Sequence, residues 1–330
     1  MADRLERVVV QLTEAGRLAD VGDVSHGRLA LILLDNLAEV LMHRQWEDDL
    51  SWIQLARSQV TRLQSHPRLD DHGQQLLDEL ATRTVSRTRE REISRTFGGK
   101  VDFLVQQGTI ESAHGRVLKK LHEYRNAAYH RDEVRPETLR TAVEIYFFLC
   151  CYLMQALPPR MVSMTRPPLA VARILGTDDS WVTLETQAEV AELVLESRRL
   201  DHQQVMLLLR EHALDRLLRM REMLHDWAAD GPGTLTAEEL LHLCQVPEEA
   251  ITSPSDLDRL DEIPVAHDMS SFDRWEARAE RIADAADAVD AMVAFSDLED
   301  AFETLEVEIE DMARAMDARV QDEIDRIRGK

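Results

Sequence analysis

The chain has 330 residues, 44% of them hydrophobic, and a formal net charge of −23. It is long enough for two domains with cores of their own. Its longest apolar run, Ile145 to Leu153, falls far short of the ~20 residues of a membrane span, so no membrane partner is expected. Three cysteines (Cys150, Cys151 and Cys244) are too few for a disulfide framework, and Cys150 and Cys151 read as small core residues. No Cys-x-x-Cys, His-Glu-x-x-His or glycine-rich phosphate loop occurs, and the 12 histidines lack metal-ligand spacing, so no metal or cofactor is expected. The opening Met1-Ala2-Asp3-Arg4-Leu5-Glu6 is charged with no apolar signal core behind it, and a cytoplasmic protein is expected.

The charge is unevenly spread. Residues 1–168 carry 23 Lys+Arg against 23 Asp+Glu, whereas residues 169–330 carry 16 against 39. A local field, and not the net charge, decides whether a cleft in the first half admits a polyanion. The acidic half is expected to be a solvated helical face, to recruit a protein partner, or to restrain the first half by covering its arginines.

In chain order, Leu5, Val8, Val9, Leu12 and Leu18 give residues 2–18 the spacing of an amphipathic helix. Residues 25–44 form a second helix, apolar on most of its circumference and suited to the middle of a bundle. Its polar residues Arg28, Asp35, Asn36, Glu39 and His43 share one stripe, either a solvated edge or the wall of a cleft. Helices are expected over 47–65 and 71–97, with a break near His66-Pro67. The second carries Arg83, Arg87, Arg89, Arg91 and Arg95 against only Glu90 and Glu92, a set able to track a phosphate backbone. Gly98-Gly99 interrupts the pattern, a short helix from Lys100 to Gln107 closes at Gly108, and Thr109 or Ser112 caps the next.

That next helix runs to about Glu133, with Val117, Leu118, Leu121, Tyr124 and Ala128 facing inward. Pro136 starts the strongly apolar helix 137–157. Pro158-Pro159 and Pro167-Pro168 mark a domain boundary, dividing the chain into a bundle over 1–160, an acidic helical domain over 169–268 and a long helical segment over 269–330. Helices recur at 184–197, 201–229 and 235–245, with Gly231-Pro232-Gly233 as a stop and Thr236 with Glu239 as a capping box. Residues 252–268 read as a loop. From Ser270 onward the pattern is helical, interrupted near Phe295-Ser296, and Leu298, Phe302, Leu305, Ile309, Met312 and Met316 repeat as a coiled-coil seam does. No strand is expected, and the fold class is all-α.

The chemistry concentrates in Leu121-His122-Glu123-Tyr124-Arg125-Asn126-Ala127-Ala128-Tyr129-His130. Histidine takes and returns a proton near neutral pH, and arginine forks onto phosphate oxygens, which together suit phosphodiester chemistry without a metal. A bare Arg with His five or six residues on also occurs at Arg116/His122 and Arg219/His225. Only the 125–130 copy adds Asn126 after the arginine and an aromatic beside the histidine. On an ideal helix Arg125 and His130 stand about 7.5 Å apart along the axis and about 140° apart around it. Either the helix ends or bends near His130, or a second copy of the chain supplies the partner. In the bland reading Arg125 pairs with Glu123 or a bundle carboxylate, and His130 caps a helix end.

The segment 97–130, with Phe-Gly-Gly-Lys-Val-Asp-Phe-Leu-Val, a Gly-Thr-Ile turn and Arg-Asn-x-x-x-His, resembles the HEPN superfamily, and the likeness extends over about 25–157. The resemblance implies a helical bundle that dimerises and a metal-independent endoribonuclease of toxin or phage-defence type. It also makes Arg125 and His130 the catalytic pair, with Asn126 as the motif's polar second position. Asp35 or Glu39 would support them from an earlier helix. Contacts to RNA are expected from Tyr129, Arg131, Lys119, Lys120, Arg87 and Arg91. His130 is followed by Arg131-Asp132 and not by the spaced tyrosine of one toxin subgroup. The expected reaction is attack of a ribose 2′-hydroxyl on its own phosphate, leaving a 2′,3′-cyclic phosphate. The alternative is a non-catalytic HEPN-type module for dimerisation or binding.

Overall fold

The computed structural model describes residues 2–65, 70–82, 84–130, 136–160, 165–179, 181–230, 235–247 and 262–328. Of Tyr129, His130, Glu137, Asp230, Asp317, Arg319, Glu323 and Ile327 it describes the backbone alone. Every regular element among these residues is a helix. They form two compact units, Met1–Asp201 and His202–Lys330.

The first unit opens with α1 (Ala2–Val21) and α2 (Val24–Gln64). The α2 helix runs unbroken for 41 residues, whereas the sequence pattern divides it near residue 45. Nothing at Gln45-Trp46 breaks a helix. Trp46 is fully buried, its indole N–H donating to Ser94 Oγ at 2.9 Å and its ring edge-on to Phe103. The stretch expected as one helix over 71–97 is α3 (Asp71–Thr82) and α4 (Arg87–Arg95), because Ser86 caps α4 through its side chain. Thr96 likewise caps α5 (Phe97–Gln106), whose first turn contains Gly98-Gly99. Gly99 is required there, since a Cβ would sit 2.6 Å from Thr96 Oγ1. The α6 helix (Ser112–His130) follows Gly108, whose φ of +68° ends α5. It packs closely on α5 because Gly115 leaves no Cβ to collide with Val105.

Pro136 starts α7 (Pro136–Ala156), which supplies Ile145, Tyr146, Leu149, Cys150 and Cys151 to the core. Helix α2 lies at the centre, touching α1, α5, α6 and α7. The unit does not stop at the prolines. Helices α8 (Leu169–Leu175) and α9 (Thr186–Ser197) belong to it. Gln187 donates to the carbonyls of Met154 and Leu157, which end α7, at 2.9 Å each. Arg198 reaches the Gly16 carbonyl, Asp20 and Glu144, fastening α9 to α1 and α7.

The second unit contains α10 (His202–Asp230), α11 (Ala237–Cys244), α12 (Met269–Glu280), a 3₁₀ turn (Arg281–Asp284) and α13 (Ala288–Ile327). The Thr236/Glu239 capping box is formed. The C-terminal pattern breaks at 281–287 and not at Phe295, because Asp287 caps α13 and Phe295 is fully buried inside that helix. In the seam, Leu298, Phe302, Leu305 and Ile309 are buried, and α13 packs on α10, α11 and α12 of its own chain. Its first half thus completes an intrachain bundle. Gly231-Pro232-Gly233, His66-Pro67 and most of the loop expected over 252–268 lie outside the described residues.

The core of this unit holds a charge cluster. Arg216 of α10 lies between Glu299 and Glu306 of α13, each no more than 4% exposed, with its guanidinium 4.7 Å from the Phe302 ring centre. Removing one partner of a buried ion cluster strands the rest in low dielectric. Arg216→Met is expected to lower unfolding stability by about 3–5 kcal/mol in urea titrations. Combining it with Glu299→Leu and Glu306→Leu is expected to restore most of that loss.

Candidate functional site

Asp35 occupies a position that an apolar residue would ordinarily fill. On α2 it shares a stripe with Leu31, Ala38 and Met42, and like them it is fully buried. A carboxylate taken out of water needs donors, and two other helices provide them. From α7, the Tyr146 hydroxyl donates to Asp35 Oδ1 at 2.8 Å. From α6, His122 Nδ1 lies 2.7 Å from the same oxygen, and Arg125 Nε forms an ion pair with Oδ2 at 3.2 Å. A carboxylate facing Nδ1 makes that nitrogen the donor and leaves Nε2 as the ring nitrogen available for proton transfer.

The imidazole is held from a second side. Phe97, at the start of α5, stacks on His122 with ring centres 4.2 Å apart and planes 7° from parallel. Arg125 NH1 donates to Asn126 Oδ1 at 2.8 Å. The His122 and Arg125 side chains keep 25% and 27% of their surface exposed, whereas Asp35 keeps none. The cluster is therefore a buried anion holding a base and a cation at the protein surface. Burial first, and then the charge of Asp35, pushes the Tyr146 phenol well above its ordinary value of 10.0. It stays a donor throughout the physiological range. Burial also pushes Cys151 up to about 12 and Cys150 well above 9.0, so neither thiol is a nucleophile here.

Of the residues expected from sequence, Asp35, Arg125 and Asn126 come together. Glu39 does not join them: it takes Lys100 Nζ at 3.1 Å, beside an open groove that Asn36 and His43 also line. The polar stripe of α2 is thus divided, with Asp35 turned inward and Asn36 and His43 outward. The side chains of Tyr129 and His130, and all of Arg131 and Arg83, lie outside the described residues. Helix α6 continues through His130, so on ideal geometry the angular separation of Arg125 and His130 persists. Lys119 is paired with Asp102 at 2.5 Å, and Lys120 is buried with its ammonium 5.4 Å from the Tyr124 ring centre, which leaves neither amine projecting freely for RNA. On α4, Arg89 pairs with Glu92 and Glu90 with Arg57, while Arg87 and Arg91 are exposed.

His122, Tyr146 and Phe97 were not singled out as functional from sequence. His122 lies within the Leu121–His130 stretch and in the bare Arg116/His122 spacing, and neither pattern gives it a role. The signal that finds them is the acid on α2's apolar stripe, which demands donors, with His122 three residues and one helical turn from Arg125.

No family model, no curated protein and no solved structure matches the chain.

Tyr146→Phe is expected to lower stability by about 1–3 kcal/mol, because Asp35 loses a donor while remaining buried. The fold favours the neutral phenol. Its contribution is therefore complete below the unfolded-state value near 10.0 and declines as pH rises above it. An ultraviolet phenolate titration is expected to show one of the four tyrosines ionising last, and the substitution to remove that step.

Proposed function

We propose that the first unit is a metal-independent endoribonuclease of HEPN type, working at the exposed edge of the Asp35–His122–Arg125 cluster. The observation that supports this reading most is the 2.7 Å contact of His122 Nδ1 with a fully buried carboxylate, beside an arginine on the same face of α6. A buried acid that orients an imidazole is an arrangement used for general base catalysis.

In the proposed reaction His122 Nε2 takes the proton of a ribose 2′-hydroxyl. The oxygen attacks the adjacent phosphorus, the bond to the 5′-oxygen breaks, and a 2′,3′-cyclic phosphate and a 5′-hydroxyl result. Arg125 holds the negative charge that builds on the non-bridging oxygens, and Asn126 fixes the guanidinium. Asp35 is a positioning residue. The leaving oxygen needs a proton, and the motif's His130, from this chain or from a second copy in a dimer, is assigned that role by resemblance. Exposed Arg87 and Arg91 are assigned to the phosphate backbone.

A second reading has its own observation. Arg125 already contacts both Asp35 and Asn126, as it would in a helical module whose cluster only locks α2, α6 and α7 together and whose task is dimerisation or protein binding.

The discriminating experiment is cleavage of single-stranded RNA in EDTA, with end-group analysis. His122→Gln, Arg125→Ala and His130→Ala are each expected to slow cleavage by about 10²–10⁴-fold. DNA of the same sequence should remain intact. Full cleavage by His122→Gln assigns the cluster to structure, and cleavage of DNA refutes attack by the 2′-hydroxyl.

A further inference from the structure

Away from the Asp35 cluster, α1 and α2 bring three guanidiniums together without a carboxylate on any of them. Arg4, Arg7 and Arg44 line one open groove of about 470 Å³. Arg44 donates to the Arg4 carbonyl at 3.4 Å and Arg7 to the Asp3 carbonyl at 3.3 Å, and none of the three forms an ion pair among the described residues. Burial, then repulsion from Arg4 and Arg7, lowers the pKa of Arg44, with Glu47 opposing that shift. Glu47 itself sits 3.5 Å from His43. Glu39 and Glu47 line the same groove without pairing with the trio, and the mutual repulsion of the three guanidiniums is relieved when an anion binds.

Arg4 and Arg44 also line a second, more enclosed pocket of about 290 Å³ in the same unit, close to the small end of the range that holds small-molecule ligands. Leu5, Leu41, Pro158 and Val182 line it. Leu5, Leu41 and Val182 are themselves at most 5% exposed, which makes an apolar wall with little freedom to move. Asp48 lines it too, and its exposed carboxylate is an acceptor for hydroxyl groups. The neighbouring Arg160 is already engaged by Asp49, which leaves Arg4 and Arg44 as the cations for an incoming anion.

We propose that this pocket binds a phosphomonoester carried on an apolar, hydroxyl-bearing body, and that its class of ligand is a mononucleotide. The phosphate sits on Arg4 and Arg44, the ring lies against Leu41, Pro158 and Val182, and a ribose hydroxyl donates to Asp48. This site is separate from the proposed cleavage chemistry and does not require it.

The test is calorimetric titration of the full chain with adenosine, guanosine, cytidine and uridine 5′-monophosphates, and with inorganic phosphate, glucose 6-phosphate and adenosine as separate probes. At least one nucleotide is expected to bind at least about tenfold more tightly than any of those three, because only it offers both phosphate and ring. Arg44→Gln is expected to weaken that binding by about tenfold or more while leaving the melting temperature of the free protein unchanged or raised, since it removes a repelling charge. Failure of all four nucleotides to bind at millimolar concentration overturns the proposal. So does binding that Arg44→Gln leaves intact, and so does inorganic phosphate or the sugar phosphate binding as tightly as the best nucleotide.

Discussion

The first unit depends on one carboxylate that has no access to water. Asp35 sits in the first third of the longest helix of the unit, on the stripe that meets α6 and α7, and an unpaired acid there would be strongly destabilising. Three groups on two helices meet it: Tyr146 from α7 and His122 from α6 hydrogen-bond to Oδ1, and Arg125 from α6 forms an ion pair with Oδ2. Sliding α6 by one residue along α2 would turn its donors about 100° away and leave the acid stranded. The cluster thus specifies which residues of three helices face one another. Apolar packing, which is tolerant of exchange among Leu, Ile and Met, specifies this less sharply.

The same construction with the signs exchanged organises the second unit. There the central group is a cation, Arg216, placed on the apolar side of α10 and met by two acids of α13 seven residues apart, on one helical face. In both units helix packing supplies the burial, and the ion cluster narrows the packing to one register. The arrangement also explains how so acidic a unit contains a well-packed core: Glu299 and Glu306, two of its many acids, are held by one arginine and by the ring of Phe302 stacked against it.

What could be read from sequence follows from how local each signal is. The turn at Gly108, the start of α7 at Pro136 and the capping box at Thr236 rest on backbone rules acting within a few residues, and all three are found. The continuity of α2 was not legible, because the apolar pattern drifts around a long helix and its second half loses the inward stripe. Only the partners of Trp46, Ser94 on α4 and Phe103 on α5, 48 and 57 residues away, show why it is buried. The end of the first unit was misplaced for the same reason. Prolines at 158–159 interrupt a helix, but a domain ends where contacts end, and Gln187 and Arg198 carry those contacts forty residues further. In the candidate site, Arg125, Asn126 and Asp35 were visible as residue types, whereas His122 was set aside because its spacing from Arg116 is unremarkable. Its importance comes from Asp35, 87 residues earlier, and no local pattern contains that.

The geometry also bears on how the two readings of the cluster relate. Of the groups around Asp35, Tyr146 is a neutral donor to Oδ1 and Arg125 a fixed cation paired with Oδ2, and neither needs access to solvent to hold helices together. Histidine is among the less favourable helix formers, and its ring needs a partner on each face and each nitrogen to be buried well. Here one face is stacked on Phe97, one nitrogen is committed to Asp35, and a quarter of the side chain is left at the surface. A ring fixed in orientation by Phe97 and Asp35 and still partly at the surface satisfies the geometric condition that the proposed proton transfer imposes. That organisation around His122, more than the Arg-Asn-x-x-x-His spacing, is what the catalytic proposal rests on.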